Sequence, residues 1–275
     1  RRTPAKLRYL LPRPSQANSH THQSPIRPQP IPHRNTGGSS VTHCRACSEQ
    51  ALHYLWKDYQ GGHWFRCHCC GSDSSSNSYA ETKKLYGEHY NQEHHGGISL
   101  EDEQLSMRSN MDWFQDYRPE TSGIDFLDVG CCRGAAMTGM QKRGWRVHGF
   151  DVTEASRHPG CTTIAPEFKA SLFPQRYHAV MCREVLEHVD HPMQMLTELA
   201  NVTERGGFLQ VQTPRPTDPT AIDENGVAKN GIGYQGAHIC LMSPLFMRYW
   251  LEKLGLEVKD YRLWDTGQVW MAKKR

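Results

Sequence analysis

Two stretches of this 275-residue chain place chemically capable residues at telling intervals. The first is FLDVGCCRGAAMTG, Phe126 to Gly139, which reads as a buried strand that breaks at a glycine into a tight loop and then a helix. Gly130, Cys132 and Gly134 stand at alternate positions, with cysteine where a middle glycine is usual. A small side chain is tolerated there if its φ is negative. A nucleotide site of this type needs a carboxylate about 20 residues further on, at the end of the next strand. WRVHGFD ends on Asp151, 21 residues after Gly130, where its side chain can accept from both hydroxyls of an adenosine ribose. The last glycine follows the middle position by two residues rather than the three of the dinucleotide loop. That spacing points to S-adenosylmethionine and not NAD.

The second stretch is a pair of C-x2-C turns, C-R-A-C at 44 to 47 and C-H-C-C at 67 to 70, separated by 19 residues. Cys44, Cys47, Cys67 and Cys70 have the spacing at which two turns present four thiolates to one tetrahedral zinc ion. Such an ion contributes folding free energy to a segment too small to build its own core, so a structural rather than catalytic zinc is expected. His68 and Cys69 are possible substitute ligands. LHYLWKDYQGGHWF, between the two turns, has one lysine and no basic stripe, so the cysteines do not by themselves imply nucleic acid.

The elements that must position these residues follow from the rest of the chain. Residues 1 to 43 are rich in Pro, Ser, His, Gln and Arg, which predicts a disordered basic tail. An organelle import signal is the lesser alternative for this tail, whose prolines oppose an amphipathic helix. It holds seven of the 32 Lys and Arg and none of the 29 Asp and Glu, leaving 25 basic against 29 acidic residues in the remainder. A slightly acidic body argues against a domain built on a nucleic-acid backbone. No apolar run is long enough to span a membrane, and the cysteine usage suits a reducing compartment, so a cytoplasmic location is expected. Residues 44 to 72 are predicted as a zinc-ribbon-like module and 73 to 111 as linker and covering helices. From 112 to 275, strand and helix patterns alternate through FLDV, WRVHGFD, RYHAVMC, GFLQVQT, LEVKDY and QVWMA. The fold class expected is α/β, a Rossmann-like, mostly parallel sheet with helices on both faces. Ser243, Pro244 and Gly255 mark the ends of its last helix.

Over about Asp112 to Arg275 the sequence resembles the class I S-adenosylmethionine-dependent methyltransferases. FLDVGCCRG is similar to their first motif, and GFD to their second-strand acid. YHAVMCREVLEHVDHP, ERGGFLQVQTPRP and AHICLMSPLFMRYWLEKLGLEV are similar to three later stretches, in the same order. The cysteine segment followed by LYGEHY resembles a sub-branch with an N-terminal four-cysteine module. The resemblance implies a seven-stranded sheet and methyl transfer to a small molecule, such as a sugar, glycan precursor or quinone precursor. Cys132 and His178 depart from the family pattern and place cofactor binding in question.

On this reading Asp128, Gly130, Cys132 and Gly134 meet the methionine end of the cofactor and Asp151 its ribose. Ser171 and Leu172 lie near the adenine, and Glu187 is a structural or cofactor-side carboxylate. His188, just after the fourth parallel strand, and His238, before the last helix, are the candidate catalytic or acceptor-contacting residues. His94, His95, Arg215 and Tyr234 are further candidates, the last two in a long polar segment read as a lid. Two other functions compete: a methyltransferase for RNA or protein, and a binding protein that kept the fold without turnover.

Overall fold

The computed structural model describes residues 41–57, 62–82, 99–120, 122–153, 162–216 and 237–275. Residues 1–40 of the predicted tail, His94, His95, Tyr234 and most of the predicted lid lie outside the described residues.

Two sheets organise the chain. The larger has seven strands in the order β10-β11-β8-β7-β4-β5-β6. Its parallel part is β4 (Asp125–Val129), β5 (Arg146–Asp151), β6 (Thr162–Ile164), β7 (Tyr177–Arg183) and β8 (Thr203–Pro214). The last two strands, β10 (Leu256–Leu263) and β11 (Gly267–Lys274), run as an antiparallel hairpin whose second strand pairs with β8. The expected Rossmann-like, mostly parallel, seven-stranded sheet is thus present. β6 has only three residues, too few to be read as a strand from its own pattern.

Side-chain alternation explains the layers. Phe126 of β4, Ala179 and Met181 of β7 and Phe208 of β8 point to one face, with Met111 and Phe114 of α2 (Leu100–Tyr117) and Ala136 and Met140 of α3 (Ala135–Gln141). Leu127, Val180 and Leu209 point to the other face, with Leu196 and Leu199 of α4 (Pro192–Val202) and Met247 and Leu251 of α5 (Pro244–Lys253). The last helix has the expected ends. Ser243 Oγ accepts from the Phe246 amide at 3.2 Å, Pro244 opens the first turn, and Gly255 takes a φ of 75° just beyond the end.

The smaller sheet has the order β1-β2-β3-β9. β1 (Leu52–Lys57), β2 (His63–Cys67) and β3 (Asp73–Ser75) form an antiparallel meander around the cysteine turns. The fourth strand, β9 (Cys240–Leu241), comes from the distant segment just before α5. Cys44, Ala46 and Cys67 belong to the same apolar core as Leu127, Leu196 and Met247, so the cysteine segment is packed into the larger unit. A one-turn helix, α1 (Tyr79–Thr82), follows the meander.

His178 lies away from the strand ends that bind ligands in this kind of sheet. Its Nδ1 accepts from the Asp125 amide at 3.1 Å, so Nε2 carries the hydrogen and faces Glu204 Oε2 at 3.1 Å. Asp125 opens β4, so His178 lies at the amino edge of the sheet, opposite the edge where ligands bind.

Candidate functional site

Chain order reverses between β4 and β7. From β4 the chain goes to β5 and β6 on one side, then returns to β7 on the other. In open α/β sheets the ligand crevice opens at this point, beyond the carboxyl ends of the strands. Two groups of polar residues meet there.

The first group is the loop after β4 and the end of β5. Gly130 takes a φ of 79°, and a Cβ on it would lie 2.3 Å from Val185 Cγ2, so only glycine fits between β4 and the segment after β7. The amides of Gly130 and Cys131 both donate to the Phe150 carbonyl, at 2.8 and 3.0 Å. Gly134, with a φ of 77°, caps α3. Cys132 corrects an expectation: its φ is 46°, in the left-handed region, not negative. The loop alternates left-handed positions at 130, 132 and 134, and the middle one is held because the Cys132 amide donates to Asp151 Oδ2 at 2.9 Å. Asp151 Oδ1 accepts from the amides of Val152 and Thr153 at 2.7 and 3.1 Å, which fixes the carboxylate at the end of β5.

Asp128 lies within β4 and is buried. Burial first, and the nearby Asp151 carboxylate second, push its carboxyl up to about 7, with Arg183 pulling the other way. A positively charged ligand in this crevice would relieve that strain. Ser171 and Leu172 are exposed on a single 3-10 turn, Ala170–Leu172, past β6.

The second group lies after β7. A 3-10 turn, Leu186–His188, carries Glu187 and His188, and the segment before β9 brings His238 beside them with ring centroids 4.8 Å apart. His188 Nδ1 is 2.8 Å from the Ala237 carbonyl. A carbonyl only accepts, so Nδ1 carries the hydrogen and Nε2 is the acceptor nitrogen of the neutral ring. Burial, reinforced by His238, pushes the His188 imidazole down to about 3. Glu187 is fully buried, its Oε2 accepts from Thr213 Oγ1 at 2.9 Å, and Oε1 lies 3.7 Å from His188 Nε2. Burial, with Glu184 second, holds its carboxyl well above the usual range. The pair is therefore a neutral acid beside a neutral imidazole. One ligand atom each from Glu187, His188 and His238 lies within 4.8 Å of the others, so the trio could also hold a cation, which would ionise Glu187. Thr213 and Glu184 were not legible as members of this group, since their role depends on β8 lying beside β7. Arg215, read as a lid residue, instead bonds the β10–β11 turn through Nε to the Trp264 carbonyl at 2.7 Å.

The four predicted metal ligands converge. Their sulfurs lie within 4.8 Å of one another, with Cys44 to Cys70 at 3.6 Å and Cys47 to Cys67 at 3.5 Å. A tetrahedron with zinc–sulfur bonds of about 2.3 Å has edges of roughly 3.8 Å, which these separations approach. The hydrogen bond from Cys70 draws the Cys44 thiol down to about 5, so one thiolate is ready for a cation. Cys69 is exposed and outside the cluster.

The family described as "Methyltransferase domain" matches residues 101–261. The ubiquinone biosynthesis O-methyltransferase of Leptothrix cholodnii is 30% identical over 116 residues, which are 38% of this chain and 49% of that one. The enzyme of the same name from Saccharophagus degradans is 35% identical over 164 residues, covering 53% of this chain and 68% of that one. The chain spans about half the length of most curated relatives it matches. Among solved structures, the Burkholderia thailandensis 1,6-didemethyltoxoflavin-N1-methyltransferase superposes with a TM-score of 0.52 at 15% identity, over 81% of this chain and 98% of that one. With the family match spanning both polar groups and the sheet order around them, the chain belongs to the methyltransferase-domain family and has the class I S-adenosylmethionine-dependent methyltransferase fold.

Proposed function

We propose that this protein transfers a methyl group from S-adenosylmethionine to a small molecule, in the class of sugars, glycan precursors or quinone precursors. The observation that carries the reading is the bond from the Cys132 amide to Asp151 Oδ2, which joins loop and ribose-side carboxylate at the switch point of the sheet. The residues fit the cofactor. The left-handed backbone at Gly130, Cys132 and Gly134 shapes the loop where the methionine end would lie, Asp151 suits the ribose, and buried Asp128 gains from a cationic ligand. The quinone-precursor class draws support from the names of the relatives in Leptothrix and Saccharophagus.

The cofactor supplies a methyl group on a sulfonium, already activated toward displacement. The protein's task is then to hold an acceptor in line, exclude water and take up one proton. His188 is the group placed to receive that proton. The Ala237 carbonyl orients the His188 ring and leaves Nε2 unprotonated; held down to about 3, this nitrogen is too weak a base to ionise a hydroxyl beforehand, and takes the proton only from the strongly acidic oxonium formed once the methyl has transferred, while Glu187 keeps its own proton. His238 packs against the same ring and shapes the acceptor side. The cysteine cluster is read as a structural zinc site, outside the chemistry, and such thiolates suit a reducing, cytoplasmic setting. Among the described residues no helix is long and apolar enough to cross a membrane.

The test is calorimetric titration of S-adenosylmethionine and S-adenosylhomocysteine into zinc-loaded protein, with Asp151→Ala as control. Micromolar binding that the variant loses supports the reading. A folded protein that binds neither ligand at millimolar concentration overturns it.

A further inference from the structure

The cysteine cluster and the two histidines are linked by continuous structure at two places. On the His238 side, β3 pairs with β9, registering Asp73 with Leu241 and Ser74 with Cys240. The Ser75 amide donates to the Ile239 carbonyl at 2.9 Å, and the Ile239 amide donates to the Glu187 carbonyl at 2.7 Å. A line of backbone bonds therefore runs from the strand that follows the second cysteine pair, past His238, to the turn that carries Glu187 and His188. Ser243 adds a second tie, its amide donating to Ser72 Oγ at 3.0 Å and its hydroxyl to the Cys70 carbonyl at 2.5 Å. Cys70 is itself one of the four clustered thiols.

On the His188 side the link is a side chain. Arg45 stands between Cys44 and Cys47, and its Nη1 donates to Asp190 Oδ1 at 2.7 Å while Nη2 donates to the Asn77 carbonyl at 2.7 Å. Asp190 follows His188 by two residues and also accepts from the Tyr79 amide at 3.2 Å. The first cysteine turn thus holds the far end of the segment that carries His188. The second cysteine turn and β3 hold the segment that carries His238.

We propose that a zinc ion on Cys44, Cys47, Cys67 and Cys70 is a positioning element of the acceptor site, setting His238 against His188 and Glu187 through the β3–β9 pairing and the Arg45–Asp190 ion pair. This rests on the reading of the histidine pair as the acceptor side of a methyltransferase. The physical reason is loop closure. β3 has three residues and β9 two, too few to stay paired unless the turn before β3 is pinned, and four metal–sulfur bonds hold that turn against the first cysteine turn at one point. The cofactor loop has holding bonds of its own, to Asp151 and to the Phe150 carbonyl. Zinc occupancy should therefore act on one side of the crevice only.

The experiment is amide hydrogen exchange on the full chain, zinc-loaded and after removal of zinc by a chelator under reducing conditions, with S-adenosylhomocysteine affinity measured on both. The expected result is at least tenfold faster exchange across 237–243, unchanged exchange across 126–134, and cofactor-product affinity within threefold. A second variant keeps the metal and loosens the link: Ser72→Ala should retain cobalt binding, read by thiolate-to-metal absorption, yet show faster exchange at 239–243. Two results overturn the proposal. In one, 237–243 exchanges at the same rate with and without zinc. In the other, 126–134 loses protection along with it, and the metal is then a general stabiliser. Failure of the zinc-loaded protein to bind S-adenosylhomocysteine overturns the methyltransferase reading instead, and the exchange comparison still reports on the link.

Discussion

The amide of Cys132 donates to Asp151 Oδ2 across 2.9 Å, and this bond holds a non-glycine residue at a φ of 46°. The left-handed region costs an L-residue about 1–2 kcal/mol, from the crowding of Cβ against the following carbonyl. Cys132→Gly removes that cost and keeps the amide, while adding about 0.5–1 kcal/mol of unfolded-chain entropy. The expected outcome is unchanged or slightly higher stability, up to about 1 kcal/mol in urea denaturation, with S-adenosylhomocysteine affinity equal to or better than that of the parent. A clear loss of affinity would show that the thiol itself contacts the cofactor.

Asp128 yields a pH signature. Its folded-state value, about 7, lies above the ordinary carboxylate value of 3.8, so the folded protein holds a proton that the unfolded chain has released between those limits. The ionised carboxylate is therefore a growing burden on the fold as pH rises from about 4 to 7. Relative to the parent, Asp128→Asn should gain stability by up to about 1.4 kcal/mol per pH unit across that window and level off above it. Denaturation midpoints of both proteins at pH 4, 5.5, 7 and 8 measure the difference. A constant difference would contradict the assigned burial and repulsion.

His188 titrates in the opposite sense. Its folded value, about 3, lies below the ordinary 6.5, so the unfolded chain binds the extra proton and stability falls as pH drops from 6.5 toward 3. His188→Gln should flatten that part of the stability profile. It should also lower the methyl-transfer rate by about tenfold, the worth of one lost hydrogen-bond acceptor for the incoming hydroxyl rather than of a base matched to neutral pH, with product affinity within threefold of the parent. Loss of binding and rate together would move His188 from the acceptor side to the cofactor side.

Ser243 joins two parts of the molecule, capping α5 through the Phe246 amide and bonding the Cys70 carbonyl. Losing an N-cap alone costs about 1 kcal/mol. Ser243→Ala should cost about 2 kcal/mol, since the Cys70 carbonyl also loses its donor. Chemical denaturation of the zinc-loaded protein measures this, and a cost below about 0.5 kcal/mol would show that water replaces both bonds.

Much of the architecture could be read from local pattern. The runs around Leu127, Val180 and Leu209 are apolar because each strand is buried on both faces, and Ser243, Pro244 and Gly255 mark a helix by chemistry that acts within a turn. The spacing of the four cysteines and the distance from Gly130 to Asp151 are likewise local quantities, and both groups do converge. Such signals survive without knowledge of the fold because they follow from the reach of one turn or one strand-loop-helix unit.

Other features depended on which segments became neighbours. The positive φ of Cys132 follows from Asp151 arriving on an adjacent strand, and the distance of His178 from the ligand edge follows from its lying at the amino edge beside Asp125. Thr213 joined Glu187 because β8 pairs with β7, and β9 joined the cysteine sheet from about 170 residues away. Sequence by itself determined the elements and the kinds of chemistry they carry, because periodicity and spacing act over a few residues. Only the tertiary structure decided that the cysteine turns and the histidine pair share one continuous wall, because hydrogen bonds between distant strands leave no trace in the residues that make them.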